Sequence, residues 1–156
     1  MRYLPVASPG FVARWLADLP RTPLARLLPD VPVVTFDRHD DLQDRFVRGI
    51  SRDRSASVRR HAVPASEPFV EAVVAGLGWG MVPRSQAVAR IRDGVLVDLD
   101  PSRPIDVPLF WQQWKLHSPA LAAAAEAVAT CAANALDGAP PGSSGLVRGS
   151  PATNSS

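Results

Sequence analysis

The segment Ala65–Pro83, ASEPFVEAVVAGLGWGMVP, constrains the fold of this chain more than any other part of the sequence. Ser66 is predicted to cap a helix, because an acidic residue and a proline, both favoured in a first helical turn, follow it. Apolar residues then recur at helical spacing until glycines end the helix, and Trp79–Val82 continues as a short apolar strand. A helix that returns directly to a buried strand predicts an α/β domain.

The glycines Gly76, Gly78 and Gly80 also suggest a phosphate-binding loop, in which backbone amides hold an anion. In such a loop the glycines lead from a strand into a helix, so that the amides lie at the helix start. Here the glycines follow a helix and lead into a strand. This order argues against dinucleotide binding.

The composition predicts one globular domain. The chain has 156 residues, of which 46% are hydrophobic, and its net charge of +2 is too small to indicate nucleic-acid binding by charge alone. The sequence has no apolar run of about 18 residues and no signal-peptide pattern, so a cytoplasmic location is expected. Cys131 is the single cysteine, which excludes an internal disulfide and a multi-cysteine zinc site.

Strands and helices are predicted to alternate from the amino terminus onward. Ser8-Pro9 and Thr22-Pro23 are typical helix starts, and Asp137-Gly138 is a typical helix end. From Ala139 onward Gly, Pro, Ser and Asn dominate, which predicts disorder. The predicted strands are Met1–Val6, Val31–Phe36, His61–Pro64, Val95–Leu99 and Val107–Lys115, and the other predicted helices are Phe11–Leu16, Leu24–Leu28, Asp40–Val47, Gln86–Arg92 and Pro119–Leu136.

The stretch AGLGWGMVP resembles the effector-binding domain of LysR-type transcriptional regulators, whose helix-to-strand segment ends in an apolar-Gly-x-Gly-apolar-x-x-Pro pattern. Two further stretches, MRYLPVASPGFVARW and FDRHDDLQDRF, are similar to the subgroup of arginine and lysine exporter regulators called ArgP or LysG. The glycine and proline pattern belongs to the whole family, whereas DDLQDRF and the tryptophan before Gly80 point to the subgroup. Nearly all of Met1–Leu136 takes part in the resemblance.

The resemblance implies an α/β fold of the type 2 periplasmic-binding-protein kind, in which two subdomains enclose a small effector. It implies that residues 1–82 form the second effector-binding subdomain and that residues 83–136 return to the first subdomain, whereas the composition predicts that residues 137–156 are a disordered tail. A full-length family member also has a helix-turn-helix and the opening part of the first subdomain. We therefore interpret the chain as an incomplete effector domain without a helix-turn-helix of its own.

The function implied by the resemblance is effector sensing for a DNA-binding transcriptional regulator, not catalysis. The expected effector is a basic amino acid, lysine or arginine. The intact protein is expected to be a homo-oligomer that contacts DNA only through its helix-turn-helix, with no cofactor and no membrane partner. The alternative is a stand-alone small-molecule-binding or oligomerising fragment without DNA binding. An enzyme is disfavoured because the sequence shows no base and nucleophile pair and no Gly-x-Ser-x-Gly motif.

Two groups of residues are candidate effector ligands. Asp37, Asp40 and Asp41 follow a predicted strand, where open α/β folds place ligand groups, and carboxylates suit a guanidinium or ammonium group. The resemblance places further contacts at the start of the helix at Ser66, whose hydroxyl and neighbouring amides suit a carboxylate, and Glu67 is a candidate to join the acidic group. The alternatives are a serine that only caps its own helix and a solvated helix start favoured by the dipole.

Three other features carry weaker hypotheses. His39 lies among aspartates, but no second histidine follows at a recognised spacing, so no metal site is predicted. The arginines between Arg45 and Arg60 lack the interleaved aromatic residues of a nucleic-acid surface, which favours a solvated surface or an oligomer contact. Cys131 has no identifiable base and is interpreted as a packed or half-exposed thiol.

Overall fold

The computed structural model describes residues 1–51, 54–109 and 119–135 of the chain. The chain divides into two units, Met1–Leu109 and Phe110–Ser156, which we describe separately. The second unit is described over one helix, which carries the exposed Cys131. Among the described residues, no helix is both long enough and apolar enough to cross a membrane.

The described residues of the first unit form six short strands, five α-helices and a 3-10 helix over Leu28–Asp30, and strands and helices alternate broadly as the sequence predicts. The strands are β1 (Arg2–Ala7), β2 (Val33–Thr35), β3 (Arg60–Ala62), β4 (Gly80–Pro83), β5 (Val97–Asp98) and β6 (Ile105–Asp106). The helices are α1 (Pro9–Trp15), α2 (Leu24–Leu27), α3 (Leu42–Ile50), α4 (Ser66–Val74) and α5 (Arg84–Arg92), followed in the second unit by α6 (Pro119–Ala135).

Strand β1 organises the first unit. It pairs with β4 in antiparallel register from Tyr3 opposite Pro83 to Val6 opposite Gly80, and it also pairs with β5 and β6. The parallel pair β2 and β3 is joined to this sheet through Trp79, because the Val34 amide donates a 2.8 Å hydrogen bond to the Trp79 carbonyl. The two sheets are therefore continuous at the start of β4.

Gly78 permits the close approach of β2 and β4. A Cβ atom at this position would lie 2.9 Å from the carbonyl oxygen of Pro32 and 2.9 Å from the carbonyl carbon of Val33. Such distances fall well inside van der Waals contact, and both atoms belong to backbone that cannot rotate away. The glycine-rich segment therefore serves strand packing, as its order after a helix implied, and not phosphate binding.

Alternating strand side chains form two apolar clusters. Val33 and Met81 belong to the first cluster, whereas their chain neighbours Val34 and Val82 belong to the second. This alternation places one cluster on each face of the sheet, with helices covering both. The first cluster also includes Phe11, Phe46, Val47 and Trp79, and the second also includes Leu4, Phe69, Val70 and Val73.

Two sequence predictions at element boundaries are wrong. Ser66 does not cap α4, because Ala65 is the extended N-cap residue and its carbonyl accepts a 2.8 Å hydrogen bond from the Phe69 amide. Ser66 is the first helical residue instead. The strand predicted over Val107–Lys115 does not include residues 107–109, since β6 ends before them, and residues 110–115 lie outside the described part of the chain.

Candidate functional site

A pocket of about 480 Å³ opens where the start of β1, the end of β2, the start of α4 and the end of β4 meet. We call it the acidic pocket, because Asp37 and Asp40 both line it. Ser66 lies on its wall as well, so three of the five predicted ligand residues are brought together. The remaining lining residues are Tyr3, Phe36, His39, Leu42, Phe69, Met81, Pro83 and Gln86.

Asp40 is a structural group of the pocket wall. Its Oδ2 accepts hydrogen bonds from the Phe36 amide at 2.8 Å and from Gln43 Nε2 at 3.1 Å, and its Oδ1 accepts one from the Leu42 amide at 3.3 Å. Three donors thus hold this half-buried carboxylate in a fixed orientation. The helix that was predicted to begin at Asp40 begins at Leu42 instead. Asp40 lies before the helix, and its carboxylate accepts a hydrogen bond from the Leu42 amide in the first turn.

Asp37 keeps one carboxylate oxygen available. Its Oδ1 accepts hydrogen bonds from the His39 amide at 2.7 Å and the Asp40 amide at 3.0 Å, which orients the side chain within the turn. Its Oδ2 receives no hydrogen bond from the described residues. The side chain is 49% exposed and lines the pocket, so a solute in the pocket can reach the carboxylate.

The start of α4 presents backbone donors beside the Ser66 hydroxyl. The first amides of a helix have no partner within it, and the third residue here is Pro68, which has no amide hydrogen. The Phe69 amide is the first to bond within the turn, to the Ala65 carbonyl. The amides of Ser66 and Glu67 therefore remain as donors at the pocket edge, where the helix dipole also favours a negative charge.

The other two predicted ligands lie outside the lining of the pocket. Asp41 is the exposed N-cap residue of α3 and makes no side-chain cap hydrogen bond. Glu67 points toward α5, where its Oε1 accepts a 3.0 Å hydrogen bond from Gln86 Nε2 and its Oε2 lies 3.6 Å from Arg90 Nη2. Glu67 is thus engaged in contacts between two helices.

Tyr3 and Phe36 are pocket residues that the sequence analysis did not single out. Burial raises the pKa of the Tyr3 phenol, and the negative charge of Asp40 raises it further. The phenol is therefore a neutral hydroxyl at physiological pH and can donate a hydrogen bond. Phe36 is 40% exposed, so part of its ring is accessible to a solute in the pocket. The alternation of β1 and β2 was the only sequence signal for either residue.

The charge and polarity of the lining favour a cation with an apolar stem. Two aspartates and no lysine or arginine are among the described residues that line the pocket. Phe36, Phe69 and Met81 provide apolar surface next to them. His39 Nδ1 lies 3.9 Å from Asp37 Oδ1. The described residues contain no group of three or more His, Cys, Asp or Glu side chains placed to hold a metal ion.

A second pocket of about 400 Å³ lies at the opposite ends of β1 and α4. We call it the cap pocket, because Ser8, the N-cap residue of α1, lines it and the Ser8 hydroxyl oxygen accepts a 3.3 Å hydrogen bond from the Phe11 amide. Gly76, which follows α4, also lines it. The other lining residues are Pro9, Gly10, Phe11, Arg14, Trp15, Val74, Ala75, Gly94 and Val95.

A family model described as the LysR substrate binding domain matches residues 1–132. The chain belongs to this family. The periplasmic-binding-protein-like α/β fold predicted from the sequence is thereby confirmed, and so is the prediction of a LysR-type effector-binding domain.

Curated relatives from this family are named as regulators. The HTH-type transcriptional regulator ArgP of Pseudomonas fluorescens is 41% identical over 115 residues, which cover 74% of this chain and 37% of that protein. The lysine export transcriptional regulatory protein LysG of Corynebacterium efficiens is 41% identical over 135 residues, which cover 85% of this chain and 43% of that protein. The chain therefore spans about two fifths of the length of these relatives.

Solved structures of LysR-type proteins are similar to this chain in fold and in sequence. ArgP from Mycobacterium tuberculosis has a TM-score of 0.76 and 42% identity, with 85% of this chain and 44% of that chain covered. The full-length regulator LysG from Corynebacterium glutamicum with bound effector Arg has a TM-score of 0.73 and 36% identity, with 86% and 44% covered. Both likenesses support the subgroup that DDLQDRF indicated.

Proposed function

We propose that the acidic pocket binds a basic amino acid, arginine or lysine, as the effector of a LysR-type transcriptional regulator. One observation carries the proposal: Asp37 has a carboxylate oxygen without a hydrogen bond from the described residues, in a pocket with no lysine or arginine among its described lining residues. The similarity to LysG, whose solved structure holds the effector Arg, supports the same class of ligand.

The proposed contacts assign one part of the ligand to each side of the pocket. Asp37 Oδ2 pairs with the guanidinium or ammonium group, because a charge-assisted hydrogen bond in a partly desolvated pocket is stronger than one in bulk water. Phe36 packs against the aliphatic stem. The Ser66 hydroxyl and the first amides of α4 receive the ligand carboxylate. Asp40 holds the wall of the pocket, and Asp41 and Glu67 contribute only negative charge nearby.

In the intact regulator, this chain supplies the sensing part. We assign residues 1–82 to the second effector-binding subdomain and residues 83–136 to the return toward the first, so the ligand is enclosed by both subdomains. Binding shifts the subdomain arrangement only if the ligand has different affinities for the two states. A homo-oligomer then passes this shift to helix-turn-helix segments on cytoplasmic DNA.

The proposal is tested by isothermal titration calorimetry of the 156-residue chain with arginine, lysine and citrulline. Citrulline has nearly the shape of arginine but carries a neutral urea group, so it isolates the contribution of charge. We expect binding of arginine or lysine and at least about tenfold weaker binding of citrulline, the usual effect of removing one charged hydrogen bond.

The matched variants are Asp37→Asn and Asp41→Asn, which remove the same charge from neighbouring positions of one turn. We expect Asp37→Asn to weaken arginine binding about tenfold or more and Asp41→Asn to leave it within about twofold. Equal effects of the two variants would show that only the overall charge matters and would reject Asp37 as a ligand. Equal affinity for citrulline and arginine would reject a basic effector.

A further inference from the structure

Gln43 is a buried polar residue whose role the packing of α3 does not explain. It is fully buried, and its Nε2 donates hydrogen bonds to the Val34 carbonyl at 3.0 Å and to Asp40 Oδ2 at 3.1 Å. Its Oε1 is also buried and has no hydrogen-bond partner. A methionine of similar volume would remove this unpaired acceptor, but the Val34 carbonyl and Asp40 Oδ2 would then lose the donor that Gln43 supplies, so glutamine is favoured here for the two groups that it joins.

The two hydrogen bonds of Gln43 connect the end of β2 to the wall of the acidic pocket. Val34 lies within β2, whereas Asp40 belongs to the turn that follows it. The same Asp40 oxygen accepts the Phe36 amide, so Gln43 and Phe36 hold the carboxylate from two sides. The side-chain amide therefore ties the turn to the rigid strand.

The turn that Gln43 holds in place sets the position of Asp37. The Asp40 amide donates to Asp37 Oδ1 at 3.0 Å, so the backbone that Gln43 anchors also orients the proposed ligand carboxylate. Gln43 does not line the acidic pocket itself. Any effect of this residue on a ligand must therefore pass through Asp40 and the turn.

We propose that Gln43 is a positioning residue, which holds the Asp37–Asp40 turn in the geometry that recognises a cationic effector. The effector part of this inference rests on the proposed function. The positioning part does not, because the order of the turn is measurable without any ligand. Gln43, a residue of α3 that does not line the pocket, thereby controls the position of the ligand-binding carboxylate.

The first experiment measures amide hydrogen exchange by NMR in the full chain, comparing Gln43→Met with the parent. We expect exchange at Phe36, His39 and Asp40 to become at least about tenfold faster, because their acceptors are no longer held in place. The control is Val47→Ala, which removes buried methyl groups one turn later on α3 and leaves the turn intact. Val47→Ala should lower the global stability. Exchange at the three turn amides should become faster only by as much as exchange in the rest of the core.

The second experiment compares the arginine affinity of the same variants by calorimetry. Gln43→Met should weaken binding about tenfold although the protein remains folded, whereas Val47→Ala should bind like the parent. Asp40→Asn replaces one of the two acceptor oxygens with a donor and removes the charge, so the Phe36, Leu42 and Gln43 donors are no longer all satisfied and the effect should be similar. The double variant Gln43→Met/Asp40→Asn should be no weaker than the worse single variant, because both changes break one connection.

The outcomes separate the positioning role from the proposed function. Parent-like exchange in both Gln43→Met and Asp40→Asn would overturn the inference, as would a loosened turn with unchanged arginine affinity. If Gln43→Met does not fold, Asp40→Asn provides the same two measurements. If the parent binds neither arginine nor lysine, the proposed function fails, and faster exchange confined to the turn still supports the positioning role.

Discussion

The acidic pocket and the cap pocket lie at opposite ends of the same strand and the same helix, yet their polar groups have different roles. In the acidic pocket, Asp37 Oδ2 and the first amides of α4 have no partner among the described residues. In the cap pocket, the serine hydroxyl is used by the fold, and the charged residue is an arginine. The Ser8 hydroxyl oxygen accepts the Phe11 amide, and the Arg14 guanidinium lies 5.5 Å from the centre of the Trp15 ring.

Cavity size alone therefore does not identify the ligand site in this domain. The two pockets have similar volumes, about 480 and 400 Å³, and both touch a helix end. They differ in the charge of their lining, since two aspartates line the acidic pocket whereas Arg14 lines the cap pocket, so only the acidic pocket suits a cationic ligand. Substitutions in the two pockets should accordingly change different measured quantities.

The largest expected effect is loss of stability in Gly76→Ala. Gly76 has φ 80°, and an added Cβ would lie 3.2 Å from the Ser8 hydroxyl oxygen. We expect the free energy of unfolding in urea to fall by roughly 1–3 kcal/mol, because a left-handed backbone and a crowded Cβ are both unfavourable. Arginine affinity at a temperature where the variant is folded should stay within about twofold.

Gly10→Ala is the matched control for this substitution. Gly10 also lines the cap pocket, but an added Cβ would meet nothing within 4 Å. Its unfolding free energy should change by less than about 0.5 kcal/mol. A large loss of arginine affinity in either variant would show that the cap pocket contributes to effector binding and would remove the distinction between the two pockets.

An intermediate effect is expected for Ser8→Ala. This substitution removes the side-chain acceptor of the Phe11 amide at the start of α1, and a lost N-cap lowers stability by about 1 kcal/mol. Chemical denaturation followed by circular dichroism measures the change. Ser85→Ala replaces an exposed serine on α5 and should have almost no effect. Equal stability of both variants would contradict the capping role of Ser8.

The smallest expected effect lies in the acidic pocket, for Tyr3→Phe. The substitution removes only a neutral hydroxyl that has no hydrogen-bond partner among the described residues, so the unfolding free energy should stay within about 0.5 kcal/mol. Arginine binding should weaken about two- to fivefold, the effect of losing one neutral hydrogen bond. If stability falls and affinity does not, Tyr3 belongs to the fold and not to the ligand site.

Local patterns predicted most elements because each pattern has a direct physical cause. Ser8-Pro9 supplies a side-chain acceptor and a preset backbone angle, and α1 begins at Pro9 as expected. The aspartates after β2 were predicted to share a site, and Asp37 and Asp40 do line one pocket. Because strand ends converge at the edge of an α/β sheet, a short polar stretch after a strand is informative about a site.

Contacts between distant segments could not be predicted from these patterns. Glu67 appeared to be a ligand because it lies next to Ser66, but its partners are on α5, about 20 residues later in the sequence. Gln43 stands three and four residues before the buried Phe46 and Val47, but no sequence pattern indicates that its side chain joins Val34 to Asp40. In both cases the deciding information is which element packs against which, and a single polar residue carries no signal for that.

Chimeric sensors assembled from different LysR-type domains should exchange residues 32–33 and 78–79 as one set. At position 78 there is no room for any side-chain carbon between the backbones that lead into β2 and β4. A Cβ atom there would lie 2.9 Å from the Pro32 carbonyl oxygen and 2.9 Å from the Val33 carbonyl carbon. A crossover between residues 33 and 78 would place a strand from one parent protein beside a strand from the other. The distance between the two backbones would then no longer match the contact at position 78. Breakpoints placed before Val31 or after Pro83 keep this contact within one parent.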